Sequence, residues 1–368
     1  MDPSQPHSTW IEVSTGAIAS NVRALLQRVQ GQVMAVVKAN GYGHGLVTAA
    51  RSAVRGGASW IGVARAEEGL ELRRAGIETP ILVLGLTPVG RLDQAIAGNL
   101  SLTLWSEEQI EAAAAAAVSL GREPAVHLKV DTGMGRIGAR PAEAVLLAQR
   151  AQAARLRLEG VYTHFARADE PAAETTNNQL AAFGDVLGAL AAAGVKPGLV
   201  HAANSAAAIA YPSSHFDLVR AGVAVYGLDP SPTCRLPDGF APALAWKSIL
   251  SQVKRLPPGS GISYGHAYVT RGEEQIGTVP VGYGDGFRRV DGNEVLVGGS
   301  RVPVVGRVCM DQILVRLDGL PAKVGDEVVI IGRQGSGTIS AEDVARRWGT
   351  INYEVVCGLS ARVARVEV

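Results

Sequence analysis

The sequence predicts an N-terminal (β/α)8 (TIM) barrel followed by a C-terminal β-rich domain. Over the first two thirds of its 368 residues, eight short β-branched segments alternate with Ala- and Leu-rich segments. A stretch rich in Pro and Gly follows between Leu236 and Pro242, and short strand-like segments fill the remainder. We therefore expect domains at 12–236 and 240–368, with residues 1–11 as a candidate addition to the second domain.

The eight expected barrel strands begin roughly 20 to 40 residues apart, which is the repeat length of a βα unit. They are Val33–Lys38, Ser59–Val63, Pro80–Leu84, Ser101–Leu104, Ala125–Asp131, Leu158–His164, Leu199–Ala203 and Leu218–Tyr226. Between the strands, apolar residues such as Ile18, Val22 and Leu25 recur at the helical period. Eight such units most simply close into a barrel, and an open doubly wound sheet is the alternative.

Beyond residue 240, Gly, Pro and Asp punctuate a series of expected strands. These are Ile249–Arg255, Gln275–Val281, Glu294–Val297, Arg301–Val305, Gln312–Leu317 and Glu327–Ile331. One helix interrupts them, because Ser340 and Asp343 have the spacing of a capping box and Gly349 is a suitable end.

Composition excludes several classes of partner and site. Lys plus Arg total 35 and Asp plus Glu total 34, so a net charge of +1 predicts neither a nucleic acid nor an anionic membrane as partner. The start MDPSQPHSTW lacks the features of a secretory signal, and the three cysteines are widely spaced. The seven histidines show no metal-binding spacing. We expect a cytoplasmic protein without a membrane span or a metal site.

The segment AVVKANGYGHG places Lys38 at the carboxyl end of the first expected strand. Catalytic residues of a barrel stand at this end. A lysine that follows an apolar strand can lose its proton and form a Schiff base with a carbonyl compound. The alternative is a lysine that ends the strand and points to solvent.

The Gly-rich segment HLKVDTGMGRIG allows two interpretations. Gly133, Gly135 and Gly138 match the dinucleotide fingerprint after a strand, although they lie in the fifth βα unit rather than the first. Alternatively, Arg136 contacts an anionic oxygen of a bound ligand.

The loops after strands seven and eight are the usual phosphate site of this fold. The candidates there are Ser205 with the backbone of Gly222 and Val223. Arg220 lies within an apolar strand and needs a partner. His164 is either a ligand contact or a core imidazole.

In the second domain, Tyr264, Tyr283 and Met310 lie beside glycines in GISYGHAY, PVGYGDGFRR and GRVCMDQ. Tyr264 would act as a general base if a nearby cation favoured its phenolate form. Taken singly, each of these segments is also typical of a surface turn.

Together, these segments resemble the alanine racemase family over essentially the whole chain. AVVKANGYGHG resembles the family's cofactor-lysine signature, and GYGDGF, GRVCMDQ and INYEVVCGLSARV resemble further family blocks. The resemblance implies interconversion of L- and D-alanine with pyridoxal 5'-phosphate (PLP), supplying D-alanine for peptidoglycan synthesis. It also implies a head-to-tail homodimer whose active sites each combine one chain's barrel with the other chain's β domain.

The resemblance assigns a role to each candidate residue. Lys38 would hold PLP and act as one catalytic base, and Tyr264 of the second chain would be the other. Arg220 would face the pyridine nitrogen, and Lys129 matches a lysine that can be carbamylated and then holds Arg136. The remaining implied cofactor contacts are Tyr42, Arg136, His164, Asn204, Ser205, Gly222, Val223 and Tyr353, and the implied substrate contacts are Arg136, Tyr283 and Met310.

Four other functions remain as alternatives. A related racemase would act on serine or on several amino acids, and a decarboxylase would share the two-domain architecture. A PLP-binding carrier or a Schiff-base aldolase would use a barrel alone, which leaves residues 240–368 without a role.

Overall fold

The computed structural model describes residues 6–170 and 172–368, which form two compact units. Of the described residues, those within 16–242 make the barrel unit, and residues 243–368 with residues 6–15 make the strand-rich unit. The expected barrel start at residue 12 therefore differs from the observed unit. The reason is that β1 (Thr9–Val13) pairs with β10 (Leu244–Ile249) and β20 (Ala364–Glu367) of the strand-rich unit.

Within the described chain, eight parallel strands line the barrel unit in the order β8-β7-β6-β5-β4-β3-β2-β9. They are β2 (Gln32–Val36), β3 (Trp60–Val63), β4 (Ile81–Val83), β5 (Ser101–Leu104), β6 (Ala125–Lys129), β7 (Arg157–Tyr162), β8 (Leu199–His201) and β9 (Leu218–Ala221). β9 pairs with β2 on one side, and on the other side the amides of Asp217 and Arg220 donate to the carbonyls of Val200 and Ala203, so the barrel is confirmed and the open sheet excluded. The last strand is shorter than expected because Val223–Tyr226 forms a 3-10 turn.

Helices follow the barrel strands and also occur in the strand-rich unit. They are α1 (Thr15–Leu26), α2 (Lys38–Tyr42), α3 (Leu46–Arg55), α4 (Ala66–Arg74), α5 (Val89–Ala97), α6 (Glu107–Leu120), α7 (Ala144–Ala153), α8 (Thr175–Ala192), α9 (Ser205–Ala210), α10 (Ala341–Trp348) and α11 (Asn352–Cys357). The expected apolar face of α1 is buried at Ile18, Val22 and Leu25. The helix expected from Ser340 is confirmed as α10, because the Ser340 hydroxyl accepts the Asp343 amide at 3.1 Å and Gly349 ends it in the left-handed conformation.

The strand-rich unit contains a large sheet with the order β11-β14-β17-β16-β15-β18-β10-β1-β20. Its remaining strands are β11 (Gln252–Leu256), β14 (Glu274–Val279), β15 (Glu294–Val297), β16 (Ser300–Val305), β17 (Ile313–Arg316), β18 (Glu327–Gln334) and β19 (Gly337–Ile339), with β12 (Gly261–Ile262) and β13 (Tyr268–Val269) as a separate pair. The single strand expected at Ile249–Arg255 is wrong. Buried and half-buried residues alternate along Leu244–Ile249, which forms β10, and a new strand begins at Gln252.

The end of the barrel unit is fixed by a close backbone approach at Gly227. Gly227 has φ of 68°, and a Cβ there would lie 1.9 Å from the Ala241 carbonyl oxygen. That carbonyl accepts a hydrogen bond from the buried Asn21 side chain at 2.9 Å, and Asn21 also accepts the Ala241 amide at 2.9 Å. Because Asn21 holds both backbone groups of Ala241, the carbonyl cannot retreat from a new side chain.

We predict that Gly227→Ala destabilises the protein much more than Gly121→Ala. Gly121 has φ of 60° but no atom within 4 Å of a built Cβ. The control should therefore cost about 1 kcal/mol of left-handed strain alone, whereas Gly227→Ala should cost at least about 3 kcal/mol because of the added clash. Urea unfolding followed by tryptophan fluorescence gives both values, and equal losses would contradict the argument.

Candidate active site

Lys38 begins a strained turn directly after the first barrel strand. Ala39, Asn40 and Gly41 in α2 have φ of 53°, 55° and 62°, which is the left-handed region. L-residues pay about 1–2 kcal/mol each in this conformation. Two contacts hold the turn, since the Glu68 carboxylate accepts the Ala39 amide at 2.7 Å and the Asn40 side chain accepts an amide of α3 at 3.0 Å. The backbone that carries Lys38 is thus fixed at the carboxyl end of the barrel.

Hydrogen-bond donors converge after the last two barrel strands. The buried Ser205 hydroxyl accepts the amides of Gly222 at 2.9 Å and Ala224 at 3.3 Å. A Cβ at Gly222 would lie 2.4 Å from the Tyr42 hydroxyl oxygen, so glycine permits this approach. Val223 is buried at the start of the adjoining 3-10 turn. Two hydroxyl groups therefore gather at one place, and because the Ser205 oxygen accepts from both amides, its own O–H can donate to an anionic group.

Asn204 has a local structural role. Its side-chain oxygen accepts the Ala207 amide at 2.9 Å and caps α9. The cap helps to position the neighbouring Ser205 at the start of that helix.

Arg220 is a buried cation held by four acceptors. Its guanidinium donates to the carbonyls of Thr163 at 2.7 Å and Ala202 at 2.8 Å. It also contacts Nδ1 of His201 at 2.9 Å and Nδ1 of His164 at 3.1 Å. Burial lowers the pKa of Arg220 to about 10, so the group keeps its proton near neutral pH.

The imidazoles beside Arg220 are neutral. Burial, together with the charge of Arg220, holds the pKa of His164 and of His201 well below the ordinary histidine value. Because a guanidinium only donates hydrogen bonds, each Nδ1 facing it accepts. Neither imidazole adds positive charge to this end of the barrel.

Lys129 is the second buried cation candidate. It is only 4% exposed, and burial lowers its pKa to about 7, with further contributions from the positive charges of Arg220, Arg136 and Lys38. A lysine in this state is largely an uncharged amine above pH 7 and is nucleophilic there. The exposed Arg136 lies close enough for its charge to act on Lys129.

The Gly-rich loop after β6 is poorly suited to bind a dinucleotide. Asp131 Oδ1 accepts the amides of Gly133 at 3.0 Å, Met134 at 2.8 Å and Gly135 at 3.1 Å. These amides are the groups that a pyrophosphate would need. The dinucleotide interpretation is therefore disfavoured, and the loop instead presents Arg136.

The strand-rich unit places its candidates on one exposed surface. Tyr264, Tyr283 and Met310 are 71%, 47% and 53% exposed. Tyr264 and Met310 line the same concavity, and the Tyr283 amide donates to the Cys309 carbonyl at 3.0 Å. Arg362 stabilises this surface, because it forms ion pairs with Asp285 at 2.7 Å and with Asp311 at 2.8 Å.

The structure thus divides the candidate residues between the two units. The barrel unit carries Lys38, Tyr42, Lys129, Arg136, His164, Asn204, Ser205, Arg220, Gly222 and Val223, and the strand-rich unit carries Tyr264, Tyr283, Met310 and the half-buried Tyr353. Sequence reasoning missed the polar groups deeper in the barrel, His127, Glu159 and His201. For His127 and His201, the signal that could have revealed them was a histidine inside a short apolar strand.

Two searches of the described residues gave no candidate. Across residues 6–170 and 172–368, no helix combines the length and apolar character needed to cross a membrane. In the same ranges, no three or more His, Cys, Asp and Glu side chains are grouped as a metal ion would require.

Comparisons with known proteins agree with this division. Residues 13–230 match the family model described as "Alanine racemase, N-terminal domain", and residues 243–367 match "Alanine racemase, C-terminal domain". An alanine racemase of Symbiobacterium thermophilum is 49% identical, covering 99% of this chain and 98% of the relative. One of Geobacillus stearothermophilus is 45% identical, covering 97% and 93%.

Solved structures give the same result. The crystal structure of alanine racemase from Streptomyces lavendulae superposes with a TM-score of 0.95 at 42% identity, covering 99% of this chain and 98% of that one. The Bacillus anthracis alanine racemase with bound L-Ala-P gives a TM-score of 0.94 at 42% identity, covering 99% and 96%. Since both family models match and full-length relatives exceed 40% identity, this chain belongs to the alanine racemase family.

Proposed function

We propose that this protein is a PLP-dependent alanine racemase that interconverts L- and D-alanine and supplies D-alanine for peptidoglycan synthesis. One observation carries the proposal. Lys38, the donors around Ser205 and the buried Arg220 all lie at the carboxyl end of the same barrel. This end is where barrel enzymes bind phosphate groups and react with substrates.

The donor set fits PLP. The hydroxyls of Tyr42 and Ser205, with the backbone at Gly222 and Val223, would bind its phosphate, since the missing Cβ of Gly222 lets the Tyr42 hydroxyl approach this place. Lys38 would supply the amine that binds its aldehyde, and Arg220 would donate a hydrogen bond to the pyridine nitrogen. His164 and Arg136 would contact the ring and its phenolic oxygen, and Tyr353 would add a further phosphate contact.

Racemisation requires that a proton leave one face of Cα and return to the other. Bound PLP would supply delocalisation of the electron pair that the proton leaves behind. Lys38 would hold and move the proton at Nζ on one face, and the Tyr264 hydroxyl would do so on the opposite face. Arg220 would donate a hydrogen bond to the pyridine nitrogen without transferring its proton, because a pKa of about 10 keeps the guanidinium charged.

The second base would come from a second copy of this chain. Tyr264, Tyr283 and Met310 are large side chains exposed on one surface of the strand-rich unit. Clusters of this kind mark association surfaces, and homodimers are the commonest soluble assembly. In the proposed homodimer, Tyr283 and Met310 of one chain would line the substrate carboxylate site of the other.

Lys129 would carry a carbamate. The neutral amine at Nζ would attack the carbon of CO2, forming an N–C bond and releasing one N–H proton to solvent. The resulting anion would pair with the nearby Arg136 and hold it toward the ligand. Burial favours the neutral, reactive form of the amine, because it lowers the pKa of Lys129 to about 7.

Replacing Lys38 tests the proposed function directly. L-alanine incubated in D2O with purified protein and PLP should yield D-alanine with deuterium at Cα, as measured by chiral chromatography and mass spectrometry. Lys38→Ala should abolish this product, because it removes both the amine that binds PLP and one base. Lys196→Ala, which removes an exposed lysine of the barrel unit, is the matched control and should retain it. Unlabelled alanine in the wild type, despite covalently bound PLP, would refute the reaction.

Variants of both bases test the shared site. Tyr264→Phe should reduce turnover at least about 100-fold without loss of PLP, because a general base is removed. Tyr268→Phe is the control, since that hydroxyl instead bonds Glu274 at 2.7 Å. After Lys38→Ala and Tyr264→Phe chains are unfolded and refolded together, activity should recover to about a quarter of wild type, since mixed dimers regain one intact site. No recovery despite mixed-dimer formation would contradict the shared site.

The Lys129 carbamate should depend on pH. Since the lowered pKa of Lys129 is about 7, the reactive neutral amine predominates above that pH and becomes a minority below it. With 13C-bicarbonate, a carbamate resonance should therefore be strong in the NMR spectrum near pH 8 and several-fold weaker near pH 6, about one unit on either side of this value. Lys129→Arg should lack the resonance at both values. A resonance that persists in that variant belongs to another amine.

A further inference from the structure

A row of hydrogen bonds runs through the barrel interior, away from the proposed active site. Nη1 of Arg220 lies 2.9 Å from Nδ1 of His201, whose Nε2 lies 2.8 Å from Nδ1 of His127. Nε2 of His127 then lies 3.3 Å from a carboxylate oxygen of Glu159. The row thus links Arg220 on β9 to Glu159, which lies toward the opposite end of the barrel in the first half of β7.

The chemistry of the donors gives this row one direction. Arg220 only donates, so Nδ1 of His201 accepts and the proton of that ring lies on Nε2. His201 therefore donates to Nδ1 of His127, whose own proton also lies on Nε2. His127 finally donates to Glu159. Both rings are fully buried, and burial lowers the pKa of each, so each carries a single ring proton.

Glu159 ends the row as an acceptor. Burial alone would raise its pKa, but hydrogen bonds from His127 and Ser101 and the charge of Arg157 lower it to about 2. The Ser101 hydroxyl donates at 2.5 Å to the oxygen that faces His127, and Arg157 donates to the other oxygen at 2.9 Å. The carboxylate is therefore ionised, and its position is fixed from two sides.

From this geometry we infer that Glu159 is a positioning residue for the racemase reaction. By accepting from His127, it acts together with Arg220 at the other end of the row to hold both imidazoles in the tautomer with the proton on Nε2. The inference rests on the proposed function, because there Arg220 faces the cofactor.

Glu159 opposes a reversal of the donor–acceptor direction along this row of hydrogen bonds. If the Glu159 acceptor were lost, His127 would be able to carry its proton on Nδ1 and donate to His201. His201 would then carry its proton on Nδ1, 2.9 Å from a guanidinium nitrogen. Two donors facing each other without an acceptor are unfavourable in a buried site, so the guanidinium would shift.

The Tyr162 ring limits the ways in which the barrel can adapt to that reversal. It stacks on His201 with ring centroids 4.6 Å apart and an angle of 9° between the planes. The guanidinium of Arg220 lies over the same ring, 4.9 Å from its centroid. His201 and Arg220 both pack on the Tyr162 ring, which leaves no empty space beside them. A rotation of the imidazole would therefore displace the guanidinium.

Two substitutions at Glu159 separate the acceptor from the charge. Glu159→Gln keeps an oxygen that can accept from His127, and its amide can face the largely exposed Arg157, which is free to move away. Glu159→Leu removes the acceptor at similar volume. Ser101→Ala is the matched control, because it removes another hydrogen bond to the same carboxylate without affecting the tautomer of His127.

Nitrogen-15 NMR of histidine-labelled holoenzyme measures the tautomers themselves. Resonances of His127 and His201 can be assigned from single substitutions of each ring. Wild type, Glu159→Gln and Ser101→Ala should all show the proton on Nε2 in both rings. Glu159→Leu should show a substantial population with the proton on Nδ1. Retention of the Nε2 tautomer in both rings of Glu159→Leu would overturn the inference.

Turnover then tests the consequence for Arg220. At unchanged PLP content, Glu159→Leu should lower kcat about tenfold, while Glu159→Gln and Ser101→Ala should remain within about twofold of wild type. Equal losses in the Gln and Leu variants would also refute the inference. If Glu159→Leu does not fold, Glu159→Asp serves instead, because the shorter side chain withdraws the acceptor and should give an intermediate mixture of tautomers. The tautomer result is independent of racemisation, so failure of the proposed function is distinguishable.

Discussion

The burial of the Arg220 guanidinium is the constraint on which the barrel site depends. A charged group removed from water is tolerated only when its donors are satisfied. Here two backbone carbonyls and two neutral imidazoles accept from it. The carbonyls of Thr163 and Ala202 come from the ends of neighbouring strands, so closure of the barrel itself builds the binding place for the cation. The charge is then available at the end of the barrel where Lys38 lies.

The strained turn after Lys38 is the second constraint. Left-handed residues such as Ala39 and Asn40 persist only where surrounding contacts over-determine them. Glu68 supplies such a contact, because one oxygen accepts the Ala39 amide and the other accepts the amides of Ala64 and Arg65. One carboxylate thereby ties the loop that carries Lys38 to the loop after the next strand. Rigid placement of the amine is what the proposed covalent attachment of PLP would require.

The sequence predicted the barrel, the second unit and the helix after Ser340 because these depend on local pattern. Fully buried parallel strands give continuous apolar segments, and Ser340 with Asp343 is a local capping box. Residues 1–11 were a candidate addition to the second domain, but the pairing of β1 with β10 and β20 was not predictable in this way, because it joins residues from both ends of the chain. The boundary at Gly227 likewise depends on Ala241, which approaches it only in the folded chain.

The candidate site shows the same limit. Lys38 and Arg220 were recognisable because each is a polar residue at a place where the pattern expects an apolar one. His127 and His201 gave that signal too, but their purpose depends on a contact between strands that are not adjacent in the sequence. Glu159 gave no signal at all, since an acidic residue near the start of a strand is ordinary. Its role can be recognised only in the folded chain, where the two imidazole rings link Glu159 to Arg220.

An excess of positive charge explains why the barrel end would bind anions. Burial is the main cause of the lowered pKa of Lys129, and the positive charges of Arg220, Arg136 and Lys38 lower it further. The Asp131 carboxylate opposes this effect, but burial and the neighbouring cations together outweigh it. A phosphate, a phenolic oxygen, a substrate carboxylate and a carbamate on Lys129 would each relieve this repulsion. The positive charges that add to the effect of burial on Lys129 therefore also favour the set of anions that the proposed reaction brings together.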